Sequence, residues 1–377
     1  MSKKIELLDC TLRDGAYITN SYFGAPAIKG IIKKIQQANI EIIECGWLKD
    51  DAHKVGTTFY HVPSDVEQYL VERTKHISYV AMIDWNRYDV NNLPSYDGLS
   101  INAIRVVFPH GKHKEGIAVG QKIKDKGYQV FFQAANTLAY SNEDLLNLAD
   151  NINKKGAVAL SIVDTFGAMF FDDLERIVKI LDNKLDKTIK LGFHSHNNQQ
   201  LSFALSMYFI ELLKNSSRSI IVDSSLCGMG RGAGNATTEL IANYLNKKCN
   251  GNYDMNAVMD AIDMYMQHFQ EKYEWGYSIP YFIAGMYQCH VNNITYLLKN
   301  HRTTAADMRN IIASLSQTER YNYNYDLLEE KYIENQNRVV NDENAIKFLK
   351  KMFTERVILL LAPGKSIKLE EEKIKKS

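Results

Sequence analysis

Eight short runs of β-forming residues alternate with longer amphipathic stretches between Ile5 and about Leu245. Such alternation is typical of parallel α/β folds, and eight units in about 240 residues match a (β/α)8 TIM barrel. A doubly wound open sheet is the alternative, but eight regular units favour the closed barrel. The predicted strands are Ile5–Leu8, Ile40–Glu44, Tyr79–Ile83, Ala103–Phe108, Gln129–Gln133, Ala157–Val163, Lys190–Phe193 and Ser219–Val222.

The stretches between the strands carry apolar residues at helical spacing. After about Gly251 the strand signal is lost and helical spacing dominates. We therefore predict a barrel domain at residues 1–250, a helical C-terminal region at 251–365 and a disordered tail at 366–377. The predicted barrel helices are Ala27–Ala38, Val66–Lys75, Gly116–Lys126, Ser141–Lys154, Asp172–Leu185 and Gln200–Lys214.

Composition and charge exclude several classes of function. The formal net charge of +1 gives no electrostatic reason to expect nucleic acid or an anionic membrane as a partner. No segment reaches the ~20 uninterrupted apolar residues of a membrane span, and the N-terminus lacks the apolar stretch of a secretion signal. The 5 cysteines are scattered without a CxxC pair, which indicates reduced thiols. A cytoplasmic location is therefore predicted.

Two histidines separated by one residue follow the seventh predicted strand. In an extended segment residues i and i+2 point the same way, so His194 and His196 present two imidazoles to one point. Asp14 follows the first strand, and the C-terminal strand ends of a barrel share one rim. Mixed nitrogen and oxygen ligands suit a divalent metal, with Mg²⁺, Mn²⁺, Fe²⁺, Co²⁺ and Zn²⁺ all open. Such a site leaves positions for substrate, which favours a catalytic role.

Other polar residues fall at the same rim, namely Arg13, Glu44 and the pair Asp164-Thr165. A 2-oxo acid chelates a metal through its carboxylate and ketone oxygens, and C–C cleavage leaves an enolate. A guanidinium stabilises that negative charge where it develops. Arg13 suits this role because it stays protonated and offers a rigid fork of donors.

Three segments carry a family resemblance: Asp9–Gly15 (DCTLRDG), Gly192–Asn197 (GFHSHN) and Gly228–Asn235 (GMGRGAGN). In this order they resemble the signatures of the metal-dependent aldolase and acyl-CoA lyase superfamily, the DRE-TIM metallolyases. The chain looks closest to the 4-hydroxy-2-oxovalerate aldolase branch. The resemblance covers about residues 5–245 and implies a TIM barrel with a divalent cofactor, Mn²⁺ or Mg²⁺.

The resemblance also implies roles for matched positions. Asp14, His194 and His196 match the metal ligands, and Asn235 matches a further ligand of some branches. Arg13 matches the arginine that stabilises the enolate oxygen. The remaining matches are Glu44, for the acidic residue that holds a metal-bound water or the arginine, and Thr165, for the hydroxyl that contacts a substrate carboxylate.

The general acid/base is where the chain departs from the pattern. The aldolases carry a histidine two residues after the glycine of Arg-Asp-Gly, and here that position is Tyr17. Tyr17 either relays a proton or forms an aromatic wall of the pocket, since an unperturbed pKa of about 10 is far from ideal for catalysis. Tyr277 follows a glycine, as does a catalytic tyrosine of the aldolases.

The glycine-rich loop separates the chain from the acyl-CoA lyases. Those enzymes carry a cysteine inside the loop, whereas Cys227 precedes it and Arg231 occupies its middle. The loop lacks the ending of a phosphate-binding P-loop, so a role that needs small residues is favoured. Contact with a phosphate-bearing substrate is the alternative.

We therefore predict a divalent-metal aldolase that makes or breaks a C–C bond through the pyruvate-like enolate of a 2-oxo acid. The alternative is a Claisen-type acyl-CoA-dependent synthase or lyase, and a less favoured one is a non-catalytic barrel subunit. The predicted substrates are a small 2-oxo acid and an aldehyde. A homo-oligomer and a dehydrogenase partner, as in related aldolases, complete the prediction.

Overall fold

The structure is a computed structural model that describes residues 5–336 and 343–355. Its nine strands are all parallel and form one sheet, in which β1 pairs with both β9 and β2. This double pairing closes eight strands into a barrel, and the two-residue β3 pairs outside it with the end of β2. The strands are β1 Ile5–Asp9, β2 Ile42–Leu48, β3 Phe59–Tyr60, β4 Ser78–Asp84, β5 Ala103–Phe108, β6 Gln129–Ala134, β7 Ala159–Asp164, β8 Lys190–Ser195 and β9 Ile220–Ser224.

The predicted TIM barrel is therefore confirmed. Its strands are nearly continuous apolar runs because both faces of a barrel strand are buried. A small cluster shared among the strands, which includes Leu8, Val80 and Phe131, fills the interior. A larger cluster lies between the strands and the surrounding helices. The helices that follow strands are α1 Thr11–Asp14, α2 Ala16–Thr19, α3 Ala25–Gln37, α4 His113–Asp125, α5 Asn142–Lys155, α6 Phe171–Lys184, α7 Ser202–Leu212 and α8 Thr238–Lys248.

Two details between β2 and β4 differ from the sequence prediction. Strand β2 continues past Glu44 to Leu48, where Trp47 and Leu48 pair with β3. The predicted helix Val66–Lys75 is wrong, because the segment forms a 3-10 helix only over Pro63–Tyr69. A side-chain hydroxyl replaces one helical partner there, since the Tyr79 hydroxyl accepts the Thr74 N–H at 3.1 Å. The Tyr69 hydroxyl, at the end of the 3-10 helix, accepts the N–H of Gly56 in the preceding loop at 2.9 Å.

The C-terminal part is helical, as predicted. Contacts divide the chain into two compact units, Met1–Glu329 and Glu330–Ser377. The boundary at residue 250 stays a prediction, and the predicted tail 366–377 lies outside the described residues. None of the helices in the described ranges has the length and apolarity needed to cross a bilayer. The helices are α9 Met255–Ala261, a π-helix Ile262–Met266, α10 Gln267–Lys272, α11 Ile279–Met286, α12 Val291–Asn300, α13 Ala305–Ser314, α14 Gln317–Tyr321, α15 Tyr325–Gln336 and α16 Glu343–Phe353.

Candidate active site

The three predicted metal ligands meet at the C-terminal rim of the barrel. Asp14 ends the short helix α1 that follows β1, while His194 lies near the end of β8 and His196 just beyond it. One ligand atom from each lies within 4.8 Å of the others. Ligand atoms held at ~2.1 Å from one ion are about 3–4.2 Å apart, so the group needs only a small contraction to hold a metal.

The glycine-rich loop places Asn235 beside this triad. The extended chain after β8 pairs with the loop, since the Asn197 N–H donates to the Gly234 carbonyl at 2.8 Å and His196 bridges to Asn235. The Asn235 amide nitrogen donates to Asp14 Oδ2 at 2.5 Å. Asn235 is therefore in contact with the triad, as its predicted role as a further ligand requires.

The free polar atoms of the site fit a divalent cation. Asp223 Oδ2 lies 3.1 Å from His194 Nδ1, which leaves Nε2 of that ring for a metal. His196 Nδ1 and Asn235 Oδ1 are buried, and neither has a hydrogen-bond partner among the described residues. Buried acceptors without partners are costly unless something binds them. A cation coordinated by these oxygen and nitrogen atoms would satisfy them.

The protonation states also suit a metal. Burial opposes ionisation of Asp14, but Arg13 and the two histidines outweigh it and lower the pKa of Asp14 well below its usual range. Desolvation lowers the pKa of His196 to about 4. At neutral pH the site thus presents an ionised carboxylate and a neutral imidazole, the forms that ligate metals.

Arg13 is fixed by two carboxylates. Its Nε donates to Glu44 Oε2 and its Nη1 to Asp14 Oδ1, both at 2.7 Å, and all three side chains are buried. Burial opposes the charge of Arg13, but Glu44 and Asp14 keep its pKa well above the ordinary value. Its Nη2 has no hydrogen-bond partner among the described residues, so this end of the fork is left for a ligand. Of the two roles that the resemblance offers for Glu44, the structure shows contact with the arginine.

A second buried arginine extends this network and was missed in the sequence. Arg105, on β5, lies 2.9 Å from Glu44 Oε2 and 2.5 Å from Asp223 Oδ2. It also donates to the side-chain oxygen of Gln133 on β6 at 2.8 Å. Arg105 therefore links the carboxylate that holds Arg13 to the carboxylate that orients His194. The available signal was an arginine and an aspartate within otherwise apolar strands, where a charge needs a partner.

Comparison with known proteins agrees with the resemblance drawn from the sequence. The HMGL-like family matches residues 113–264. The 4-hydroxy-2-oxovalerate aldolase of Thermomicrobium roseum is 28% identical over 260 residues, covering 68% of this chain and 70% of the relative. The 4-hydroxy-2-oxovalerate aldolase of Chloroflexus aurantiacus is 26% identical over 334 residues, which cover 84% of this chain and 90% of the relative. The crystal structure of the N-terminal domain of a putative aldolase from Bacteroides vulgatus superposes with a TM-score of 0.67 at 26% identity. The match covers 78% of this chain and 97% of that domain.

Over residues 113–264 the chain is similar to the HMGL-like family. The family match and the relatives confirm the resemblance drawn from the three sequence segments, and with it the predicted enzyme class, a carbon–carbon lyase. They leave the substrate and the metal of this protein as predictions.

The two predicted tyrosines lie in cavities on the glycine-rich loop. Tyr17 is 41% exposed, stands edge-on to Trp47, and is covered by the Arg231 guanidinium 3.7 Å from its ring centre. Desolvation outweighs the nearby arginines and raises the pKa of Tyr17 above its ordinary value. Tyr277 is 55% exposed and lines a cavity together with Asn235. Tyr17 therefore forms part of an aromatic wall, whichever residue moves the proton.

Thr165 and Cys227 complete the comparison with the sequence. Thr165 follows β7, and its hydroxyl accepts the Asn136 backbone N–H at 2.6 Å, so the structure gives it a loop contact rather than one to the metal triad. Burial raises the pKa of the Cys227 thiol to about 12. A thiol in this state is a poor nucleophile, in line with the departure of this chain from the cysteine-dependent lyases.

Proposed function

We propose that this protein is a divalent-metal-dependent aldolase that makes or breaks a C–C bond next to a 2-oxo acid, similar to 4-hydroxy-2-oxovalerate aldolase. The observation that carries the proposal is the cluster of Asp14, His194 and His196 with Arg13 held beside it. In the retro-aldol direction the C3–C4 bond of a 4-hydroxy-2-oxo acid breaks. The hydroxyl proton leaves, an aldehyde departs, and the remaining pyruvate-like enolate takes a proton at C3.

Asp14, His194, His196 and Asn235 would hold the metal, Mn²⁺ or Mg²⁺. When bound, such an ion supplies Lewis-acid polarisation of a carbonyl. The Nη2 end of Arg13 would then donate to the oxygen that becomes negative in the enolate. Because Arg13 is already fixed in a buried site, this stabilisation needs little reorganisation during the reaction.

Thr165 would orient the substrate carboxylate, and a tyrosine would move the proton. Tyr17 and Tyr277 are the two candidates, since each lies in a cavity formed by the glycine-rich loop. The raised pKa of Tyr17 keeps it protonated at neutral pH, so it can donate a proton to an enolate carbon but is a weak base. The cytoplasmic location, the homo-oligomer and the dehydrogenase partner stay predictions.

Metal-dependent enolisation of pyruvate tests this proposal without knowledge of the aldehyde. Protein freed of metal with a chelator is incubated with pyruvate in D₂O, and loss of the methyl proton signal is followed by NMR. We expect exchange only after Mn²⁺ or Mg²⁺ is added. His196→Gln should lower the exchange rate at least about 100-fold, because it removes an imidazole ligand.

His76→Gln is the matched control, since this histidine is exposed and precedes β4, at the opposite end of the barrel from the candidate site. It should exchange at the rate of the unchanged protein. Undiminished exchange in chelator-treated protein, or in His196→Gln, would show that the proposal is wrong.

A further inference from the structure

His290 is held in one tautomer by the start of helix α12. Its Nδ1 accepts the Asn292 backbone N–H at 3.1 Å, as an N-cap side chain does. Desolvation and nearby cations, Arg231 first among them, lower the pKa of His290 to about 3. The ring is therefore neutral at pH 7, and a neutral imidazole that accepts at Nδ1 carries its proton on Nε2.

The Nε2–H group of His290 faces the Arg231 guanidinium, which is another hydrogen-bond donor and not an acceptor. Arg231 Nη1 lies 3.4 Å from His290 Nε2. A guanidinium has donors only, so neither group can accept from the other. Two N–H groups directed to one place form an incomplete site, which a negatively charged oxygen between them would complete.

Arg231 also lacks a charge partner. No carboxylate of the described residues lies within 4.0 Å of its guanidinium, which packs instead over the Tyr17 ring at 3.7 Å. By contrast, Arg13 and Arg105 each contact two carboxylates. Arg231 is thus a cation at the barrel mouth whose charge is available to a ligand.

The position of Arg231 places this charge next to the metal site. A Cβ added to the preceding Gly230 would lie 2.6 Å from Asp14 Oδ2 and 2.3 Å from Asn235 Nδ2. Arg231 and Tyr17 line a cleft of about 530 Å³ between the glycine-rich loop and α12. The cleft has room for the part of a substrate that extends beyond the reacting carbons.

We propose that Arg231 and His290 bind an anionic oxygen of the second substrate, so that the preferred acceptor is an aldehyde with a carboxylate or phosphate group. The inference rests on the proposed aldolase function, which supplies an aldehyde as the second substrate. The arginine–histidine pair would then favour an aldehyde that carries a negative charge. The reaction itself is unchanged. The pair acts on the end of the aldehyde away from its carbonyl.

Aldehydes matched in length test this selectivity. Condensation with pyruvate is measured for butanal against 4-oxobutanoate and for glyceraldehyde against glyceraldehyde 3-phosphate. We expect kcat/KM to favour the anionic member of at least one pair by 10-fold or more. The pair with the larger preference identifies the group as carboxylate or phosphate.

Two variants connect the preference to the proposed pair. Arg231→Gln should lower the ratio of kcat/KM for anionic over neutral aldehyde by about 10- to 100-fold, the range for loss of a charge-assisted hydrogen bond. His290→Asn retains an N-cap acceptor but removes the Nε2 donor. It should lower the same ratio by a smaller factor, and it remains informative if Arg231→Gln fails to fold.

Lys122→Gln is the control, since Lys122 is exposed on α4 and does not line the cleft. It should leave the ratio within about 2-fold. The proposal is overturned if the unchanged protein shows no preference, if the preference survives both variants, or if Lys122→Gln removes it. A variant effect confined to the KM of pyruvate would also overturn it, because the pair would then bind the 2-oxo acid.

Pyruvate exchange separates the two proposals. The exchange needs no aldehyde, and neither Arg231 nor His290 has a proposed role in it. If the unchanged protein fails to exchange pyruvate protons, the aldolase function is wrong. If it exchanges them but treats neutral and anionic aldehydes alike, only the assignment of Arg231 and His290 is wrong.

Discussion

At the scale of single residues, Asp223 is placed to orient a ligand of the proposed metal site without being a ligand itself. Its carboxylate contacts His194 Nδ1 and so leaves Nε2 for the proposed cation. We predict that Asp223→Asn weakens Mn²⁺ binding by about 10- to 100-fold, as is usual for the partners of ligating histidines. Isothermal titration of metal-free protein measures this effect. Glu175→Gln, a surface carboxylate change on α6, should leave the affinity unchanged, and equal affinities for both variants would contradict the role.

The sequence predicted that Asp14, His194 and His196 cluster, which the structure shows, but it missed the residues that orient them. Asp14, His194 and His196 stand in short motifs whose spacing implies convergence. Arg105 and Asp223 are 118 positions apart in the chain, and no local sequence pattern predicts that they form an ion pair. Barrel closure brings their strands to the same interior, where two charges must neutralise each other. Such partners become visible only when the strand order and register are known.

At the scale of elements, the glycine-rich loop approaches the proposed metal ligands closely. An added Cβ at Gly230 would intrude on both Asp14 and Asn235. We predict that Gly230→Ala lowers the Mn²⁺ affinity at least about 10-fold while the barrel stays folded, measured by calorimetry and circular dichroism. Gly111→Ala is the matched control, since its φ of 81° carries strain but no atom lies within 4 Å of the added Cβ. It should cost about 1 kcal/mol of stability and no metal affinity. Equal metal affinity in the two variants would contradict this account.

Elements with a strong period were predictable, and those set by distant side chains were not. All eight barrel strands contain apolar runs that can be recognised in the sequence alone. The helix predicted over Val66–Lys75 is wrong because the 3-10 helix ends at Tyr69, and beyond it the Thr74 N–H donates to the hydroxyl of Tyr79 on β4. Strand β3 has two residues and therefore no periodicity to detect.

At the scale of the whole molecule, the barrel and the helices just after it share one core. Val258, Met266 and Phe269 belong to the same buried cluster as the barrel helices, and the Trp275 indole N–H donates to the Cys227 carbonyl at 2.9 Å. Full burial of three such side chains contributes about 4.5–9 kcal/mol at ~1.5–3 kcal/mol each. That approaches the entire stability of a typical domain, about 5–15 kcal/mol.

We therefore predict that a chain ending at residue 250 does not fold stably, although the sequence pattern changes there. Thermal unfolding followed by circular dichroism should show no cooperative transition for residues 1–250. A chain ending at Glu329 retains the whole first unit and should unfold cooperatively. If residues 1–250 gave a cooperative transition within a few degrees of that longer chain, the helices after the barrel would be an accessory region. Because Trp275 and Tyr277 lie beyond residue 250 beside the glycine-rich loop, the same truncation removes one wall of the site. Both the stability of the barrel and the shape of the site are therefore expected to depend on the residues that follow position 250.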